Sequence, residues 1–172
     1  CRGRQRKLMQ ALGKLDLELA VLTGRETIQW VTGALVKAPY EPVAVLQANG
    51  HCLLVLPERQ LGDAAAVDEK LGYAAKLHST LVDDQRAASS ETLKSKLTGR
   101  IPKRVGVEFA SFSPHLTFLT SLGGNEFADV GPSVCKLRLR KDPDEVAMLR
   151  HANEANAAMY ARAREIVRPG VN

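Results

Sequence analysis

Val43-Ala44-Val45-Leu46-Gln47-Ala48-Asn49-Gly50-His51-Cys52-Leu53-Leu54-Val55-Leu56 is the stretch whose pattern decides the fold. Two apolar, β-rich runs flank Ala48-Asn49-Gly50, and Asn-Gly readily adopts the positive φ that tight hairpin turns require. The spacing predicts an antiparallel pair over residues 43–47 and 51–56. Before it, Leu8, Met9, Leu12 and Leu15 recur at helical spacing, and residues 17–22 then read as a strand stopped by Thr23-Gly24. Residues 26–30 read equally as a helical turn or as extended chain. Residues 34–42, with Pro39 and Pro42, read as an exposed loop.

After the hairpin, residues 58–71 read as an alanine-rich helix and residues 74–78 as a short strand. Asp83 or Asp84 can cap a helix that runs to Leu97 and stops at Thr98-Gly99. Residues 105–109 are the next strand. Ser113-Pro114 opens a helix expected to reach Leu122 and stop at Gly123-Gly124, and residues 127–130 are the last strand. Helices alternating with strands around one tight hairpin give an α/β fold, a mixed β-sheet flanked by helices.

The chain has 172 residues, 45% hydrophobic and 25% charged, which suits one domain with its own core and excludes disorder or a fibrous architecture. No apolar run approaches the roughly 20 residues of a spanning helix, so no membrane partner is expected. Residues 2–7 are basic, but no apolar segment or cleavage site follows them. A start at Cys1 and an end just after Pro169-Gly170 suggest a fragment. Three cysteines, Cys1, Cys52 and Cys135, are widely spaced and odd in number, which points to a reducing, cytoplasmic location rather than a disulfide framework or a zinc site. The net charge of +5 is concentrated at residues 2–7 and 136–141 without interleaved aromatics. That argues for a solvated surface or a domain interface and against a nucleic-acid groove.

Near the end, Asp142-Pro143-Asp144-Glu145 combines a cap, a proline at the first helical position and the glutamate of a capping box. The helix expected over residues 143–168 holds no internal Gly or Pro and spans roughly 40 Å. Its many alanines permit close approach of another element.

The segment Leu137-Arg138-Leu139-Arg140-Lys141-Asp142-Pro143-Asp144-Glu145-Val146-Ala147-Met148-Leu149-Arg150-His151-Ala152 resembles the junction between the two domains of creatinases, prolidases and aminopeptidases P. Ile28-Gln29-Trp30-Val31-Thr32-Gly33, Val105-Gly106-Val107-Glu108 and Val167-Arg168-Pro169-Gly170 resemble further elements of that family, in family order. Trp30 stands where tyrosine is usual.

The resemblance implies that residues 1–140 are a creatinase/prolidase-type N-terminal domain with a ribonuclease H-like motif. Residues 141–172 would be the linker and first helix of a pita-bread catalytic domain. It implies a homodimer, a small peptide or creatine-like substrate for the whole protein, and two divalent metal ions (Mn, Co or Zn) in that catalytic domain, whose ligands lie beyond Asn172. The whole protein would be a metal-dependent Xaa-Pro peptidase or related hydrolase and this chain inactive alone. An alternative is a metal-free pseudo-peptidase module that binds peptides or proteins.

Within the chain we expect no catalytic residue, metal ligand or cofactor. His51, His78, His115 and His151 show no metal-binding spacing. Asp83-Asp84 and Asp142 with Asp144 sit at helix starts, where capping accounts for them. Ser111, Ser113 and Ser121 lie near His115 but in no nucleophile elbow, and Gly123-Gly124 lacks a following Gly-Lys-Ser/Thr. Lys37 and Tyr40 remain, a cation and a hydrogen-bonding aromatic on a proline-stiffened loop. The resemblance implies a place for such a loop at the active-site mouth of the other subunit, with Lys37 or Tyr40 meeting a substrate carboxylate.

Overall fold

The computed structural model describes residues 1–75, 82–121, 126–167 and 170. Contacts divide the chain into two units, Cys1–Leu137 and Arg138–Asn172.

The first unit is built on a sheet of six strands, in the order β4-β3-β2-β1-β5-β6. They are β1 Leu19–Leu22, β2 Val43–Gln47, β3 Cys52–Pro57, β4 Glu69–Tyr73, β5 Arg104–Val107 and β6 Glu126–Asp129. The hairpin forms as expected: Val43 pairs with Val55 and Leu46 with Cys52, antiparallel, and Gly50 closes the turn at φ 94°. β1 is antiparallel to β2 and parallel to β5, so the sheet is mixed. β4 pairs parallel with β3, and β6 with β5.

Because side chains alternate along a strand, each strand feeds two cores. Ala20, Leu22, Ala44, Leu46, Leu54 and Leu56 face α1 (Arg2–Lys14), α2 (Arg25–Thr32) and α5 (Gly131–Leu139), meeting Leu8, Leu12, Ile28 and Val134. Leu19, Val21, Val43, Val45, Leu53, Val55, Val105 and Val107 face α3 (Val82–Leu97) and α4 (Phe118–Ser121), with Leu93, Leu97, Leu116 and Leu119. Coverage on both faces explains the unbroken apolar runs of β1 and β3. Full burial of each such leucine contributes about 1.5–3 kcal/mol.

Four expectations are corrected. Residues 58–71 do not form a helix: a single 3-10 turn, Glu58–Gln60, is followed by irregular chain and then β4. Alanine's helical preference is worth only a few tenths of a kcal/mol per residue. Against it stand the ladder with β3, the Ala66 amide on the Thr32 carbonyl at 2.7 Å and the Asp68 amide on the Cys52 carbonyl at 2.8 Å. The strand expected at 74–78 begins earlier, at Glu69, and residues 76–78 lie outside the described ones.

The loop of residues 34–42 is not simply exposed, since Ala34, Val36, Glu41 and Pro42 are buried. The helix expected from Pro114 is divided into a 3-10 turn, Pro114–Leu116, and α4, while Leu122 and Gly123-Gly124 lie outside the described residues. α5 falls where the sequence showed only a basic approach to the last helix.

The second unit is dominated by α6 (Pro143–Ile166), about 36 Å long at 1.5 Å per residue. Asp142 and Glu145 form the expected capping box, with the Asp142 amide donating to Glu145 Oε2 at 3.0 Å. Met148, Leu149, Met159 and Tyr160 on this helix are all more than half exposed.

Candidate functional site

The loop carrying Lys37 and Tyr40 leaves α2 through Gly33, whose amide makes the last helical bond to the Gln29 carbonyl at 2.8 Å and whose φ of 77° turns the following chain out of the helix. Thr32 Oγ1 donates to the Ile28 carbonyl and accepts from the Ala34 amide at 3.1 Å. From there burial alternates: Ala34 and Val36 enter the core, while Leu35 and Lys37 stand outside. The Tyr40 amide returns to the Lys37 carbonyl at 3.1 Å, which folds Lys37 and Tyr40 into one turn.

Beyond that turn the chain is fastened by Glu41, which is 7% exposed. Its carboxylate pairs with Arg25 at the start of α2 and with Arg86 of α3, the latter at 3.3 Å. Its amide donates to the Tyr73 hydroxyl at 3.1 Å. Burial pushes the Tyr73 phenol up to about 12, so it stays neutral and able to accept. Both ends of the loop are thus tied to the core, and Lys37 and Tyr40 project from a held frame.

That frame borders a cavity of about 770 Å³, lined by Lys37, Ala38 and Tyr40 on one side and Arg59, Gln60 and Asp63 on the other. The guanidinium carbon of Arg59 lies 4.0 Å from the centre of the Tyr40 ring, a cation–π contact. Gln60 Nε2 donates to Asp63 Oδ2 at 3.1 Å and to the Leu35 carbonyl at 3.4 Å, joining the two walls. A second cavity of about 290 Å³ lies along residues 34–38, with Arg25, Glu26 and Gln29 on its other side. Sequence reasoning missed Arg59, Gln60 and Asp63 because it placed them in a helix; the Leu61-Gly62-Asp63 break was the available signal against one.

The other candidates resolve into structural roles. Ser111 shares a 2.7 Å hydrogen bond with Thr23 Oγ1, and Ser113 accepts from the His115 amide at 3.3 Å as a cap. His51 stands beside β3 with Nε2 4.0 Å from Glu69, and His151 is exposed on α6. His78 and the side chains of Asp83 and Ser121 lie outside the described residues. Among the described residues, one trio of carboxylates lies close enough to share a cation, Asp142, Asp144 and Glu145. Asp142 and Glu145 already serve the capping box.

Two further groups hold the amino-terminal helix. Arg2 grips both oxygens of Asp68 at 2.9 Å, and Asp68 also accepts from the Cys52 amide at 2.8 Å. The Arg2 hydrogen bond lowers the Asp68 carboxyl to about 2. Burial raises the Cys52 thiol to about 11, making it inert at neutral pH. Among the described residues no helix is long and apolar enough to cross a membrane.

A family model of the creatinase/prolidase N-terminal domain matches residues 4–140. An uncharacterized hydrolase/peptidase of Sinorhizobium fredii, y4tL, is 27% identical over 169 residues, covering 93% of this chain and 43% of the relative. The chain therefore spans less than half the length of that curated relative. Among solved structures, an Xaa-Pro dipeptidase from Bacillus anthracis has a TM-score of 0.71 at 17% identity, over 98% of this chain and 44% of that one. A proline dipeptidase from Streptococcus pneumoniae TIGR4 gives 0.62 at 20% identity, over 80% of this chain and 98% of that one. The prolidase from Pyrococcus horikoshii OT3 gives 0.68 at 14% identity, over 96% and 43%. At such identities the structures show a shared fold, and the family match carries the assignment: this chain belongs to the creatinase/prolidase N-terminal domain family.

Proposed function

We propose that this chain is the non-catalytic amino-terminal part of a metal-dependent Xaa-Pro dipeptidase, aminopeptidase or creatinase-like hydrolase. Residues 1–140 are its N-terminal domain, and residues 141–172 are the linker and first helix of a pita-bread catalytic domain. The protein works as a homodimer in the cytoplasm, and Lys37 and Tyr40 border the entrance to a partner's active site. The observation that carries this reading is the anchored loop: Thr32 and Gly33 at one end and Glu41 at the other hold Lys37 and Tyr40 at the edge of a peptide-sized cavity.

Of the one carboxylate trio among the described residues, Asp142, Asp144 and Glu145, two members form the capping box of α6. In this reading the metal ligands belong to the catalytic domain, where bound metal supplies a hydroxide for hydrolysis.

The test is to express the whole protein and assay Xaa-Pro dipeptides with and without chelator, beside the 172-residue chain. Metal-dependent cleavage by the whole protein and none by the chain support the proposal. With Lys37→Ala and Tyr40→Ala we expect KM to rise about 3- to 30-fold at little-changed kcat, the pattern of lost substrate binding. Peptide binding without cleavage, together with substituted metal ligands, would establish the pseudo-peptidase instead.

A further inference from the structure

We infer that Gln5 is a positioning residue: its buried side-chain amide ties together the roots of the two walls of the larger cavity and so sets how far apart they stand. The inference rests on the reading above that residues 37–40 border a substrate entrance, and it adds what holds that entrance to its width.

The carbonyls at the end of α2 carry the argument. A helix leaves its last four carbonyls without a partner inside it, and in α2 these belong to Gln29, Trp30, Val31 and Thr32. The Gly33 amide serves the first of them. The other three are served from far along the chain. Arg4 Nη1 donates to the Trp30 carbonyl at 3.3 Å, Gln5 Nε2 to that of Val31 at 2.9 Å, and the Ala66 amide to that of Thr32 at 2.7 Å. Gln5 Nε2 donates a second bond, to the Ala66 carbonyl at 2.6 Å. One side chain thus joins Val31, just before the wall that starts at Gly33, to Ala66, just after the wall that ends at Ala64.

Gln5 is itself held in place. Its Oε1 accepts from Arg2 Nη1 at 3.1 Å, and Arg2 is fixed in turn by both oxygens of Asp68. At 2% exposure it continues the buried stripe that Leu8 and Leu12 form on α1. A leucine at that position would suit the stripe, but it would leave the buried Val31 and Ala66 carbonyls without this donor. The choice of an amide there is explained by the two walls it joins, and not by the packing of α1 on the sheet.

The experiment is hydrogen exchange on the whole protein, followed by mass spectrometry over residues 33–42 and 59–68 and over β1, β2 and β3. Gln5→Met keeps the bulk and removes both donors. It should speed exchange of the Ala34, Tyr40 and Ala66 amides about 10- to 100-fold, the scale of two lost hydrogen bonds, and leave the strand amides little changed. Leu93→Val, a core change on the other face of the sheet, should leave the wall amides as they are. Arg2→Ala, at an exposed residue, should give the Gln5→Met pattern on a smaller scale, and it decides the matter should Gln5→Met not fold. In assays with Xaa-Pro dipeptides, Gln5→Met should raise KM about 3- to 10-fold at little-changed kcat, while Leu93→Val leaves KM alone.

Unchanged wall exchange in the folded variants, wall and strand amides that speed up together, or opened walls with an unaltered KM would each overturn the inference. A whole protein without turnover would defeat the proposed function and leave the exchange comparison to decide this one. Walls that stay protected in an active Gln5→Met enzyme would overturn this one and leave the proposed function standing.

Discussion

The Thr27 hydroxyl of α2 donates a 2.6 Å hydrogen bond to Glu108 Oε1, while Glu108 Oε2 accepts from the Thr23 and Gly24 amides at 2.9 Å. The first turn of α2 is therefore capped by a carboxylate just beyond β5, not by its own N-cap, Gly24, which has no side chain. The positive end of the helix and the negative charge favour each other. Because β1 and β5 are parallel neighbours, the contact also fixes where α2 leaves the sheet.

Glu108→Ala should destabilise the chain by about 2–4 kcal/mol, since it leaves the buried Thr27 hydroxyl and the partly buried Thr23 and Gly24 amides without an acceptor. Glu108→Gln keeps an acceptor and should cost about 1–2 kcal/mol less than alanine. Urea midpoints at constant slope measure both, and an alanine variant as stable as the wild type would refute the capping role.

Acid should loosen the amino-terminal helix. The Asp68 carboxyl is lowered from 3.8 to about 2 in the folded chain, chiefly by Arg2, so its contribution is present above the ordinary carboxylate value and is lost as pH falls toward 2. Asp68→Asn should flatten the stability profile between those two values. Thermal midpoints across the acid range, with wild type and variant falling in parallel, would contradict this.

At the alkaline end the sign reverses. The Cys52 thiol is raised from 9.0 to about 11 and the Tyr73 phenol from 10.0 to about 12, both mainly by burial. The unfolded chain loses these protons first, so stability is intact below the unfolded values and declines as pH climbs through the windows that follow. Cys52→Ala and Tyr73→Phe should each shallow that decline. At neutral pH a thiol reagent should label exposed Cys135 quickly and Cys52 only on unfolding.

Gly106→Ala should cost about 1–3 kcal/mol through overpacking. A β-carbon there would lie 2.6 Å from Val130 Cγ1 and 3.2 Å from Leu17 Cδ1, inside van der Waals contact. Gly3→Ala, whose β-carbon meets nothing within 4 Å, is the matched control. Equal denaturation midpoints for the pair would show that the core around Gly106 yields freely.

Much of the sheet was legible locally. The hairpin followed from Asn49-Gly50 between two apolar runs, and α6 from Asp142-Pro143 with Glu145, because turn and cap chemistry act over a few residues. The stop of α3 at Gly99, with φ 74°, was equally local, whereas its start at Val82 puts Asp83 and Asp84 inside the first turn and not at the expected cap. The same approach misread residues 58–71, where Asp68 answers to Arg2, 66 positions away, and β4 takes its shape from β3.

Lys37 and Tyr40 stood out as residue types on a proline-bearing loop. Their setting did not, because Arg59 and Asp63 reach them, and Glu41 meets Arg25 and Arg86, only once β3, α2 and α3 have packed. The sequence by itself determined the α/β class, the antiparallel hairpin and the capped terminal helix, since turn and cap chemistry act within a turn of chain. Which charges are paired, which face an open cavity, and which glycine leaves no room for a methyl group were decided by tertiary structure alone. Those properties depend on atoms far apart in sequence that the six-stranded sheet brings within a few ångströms.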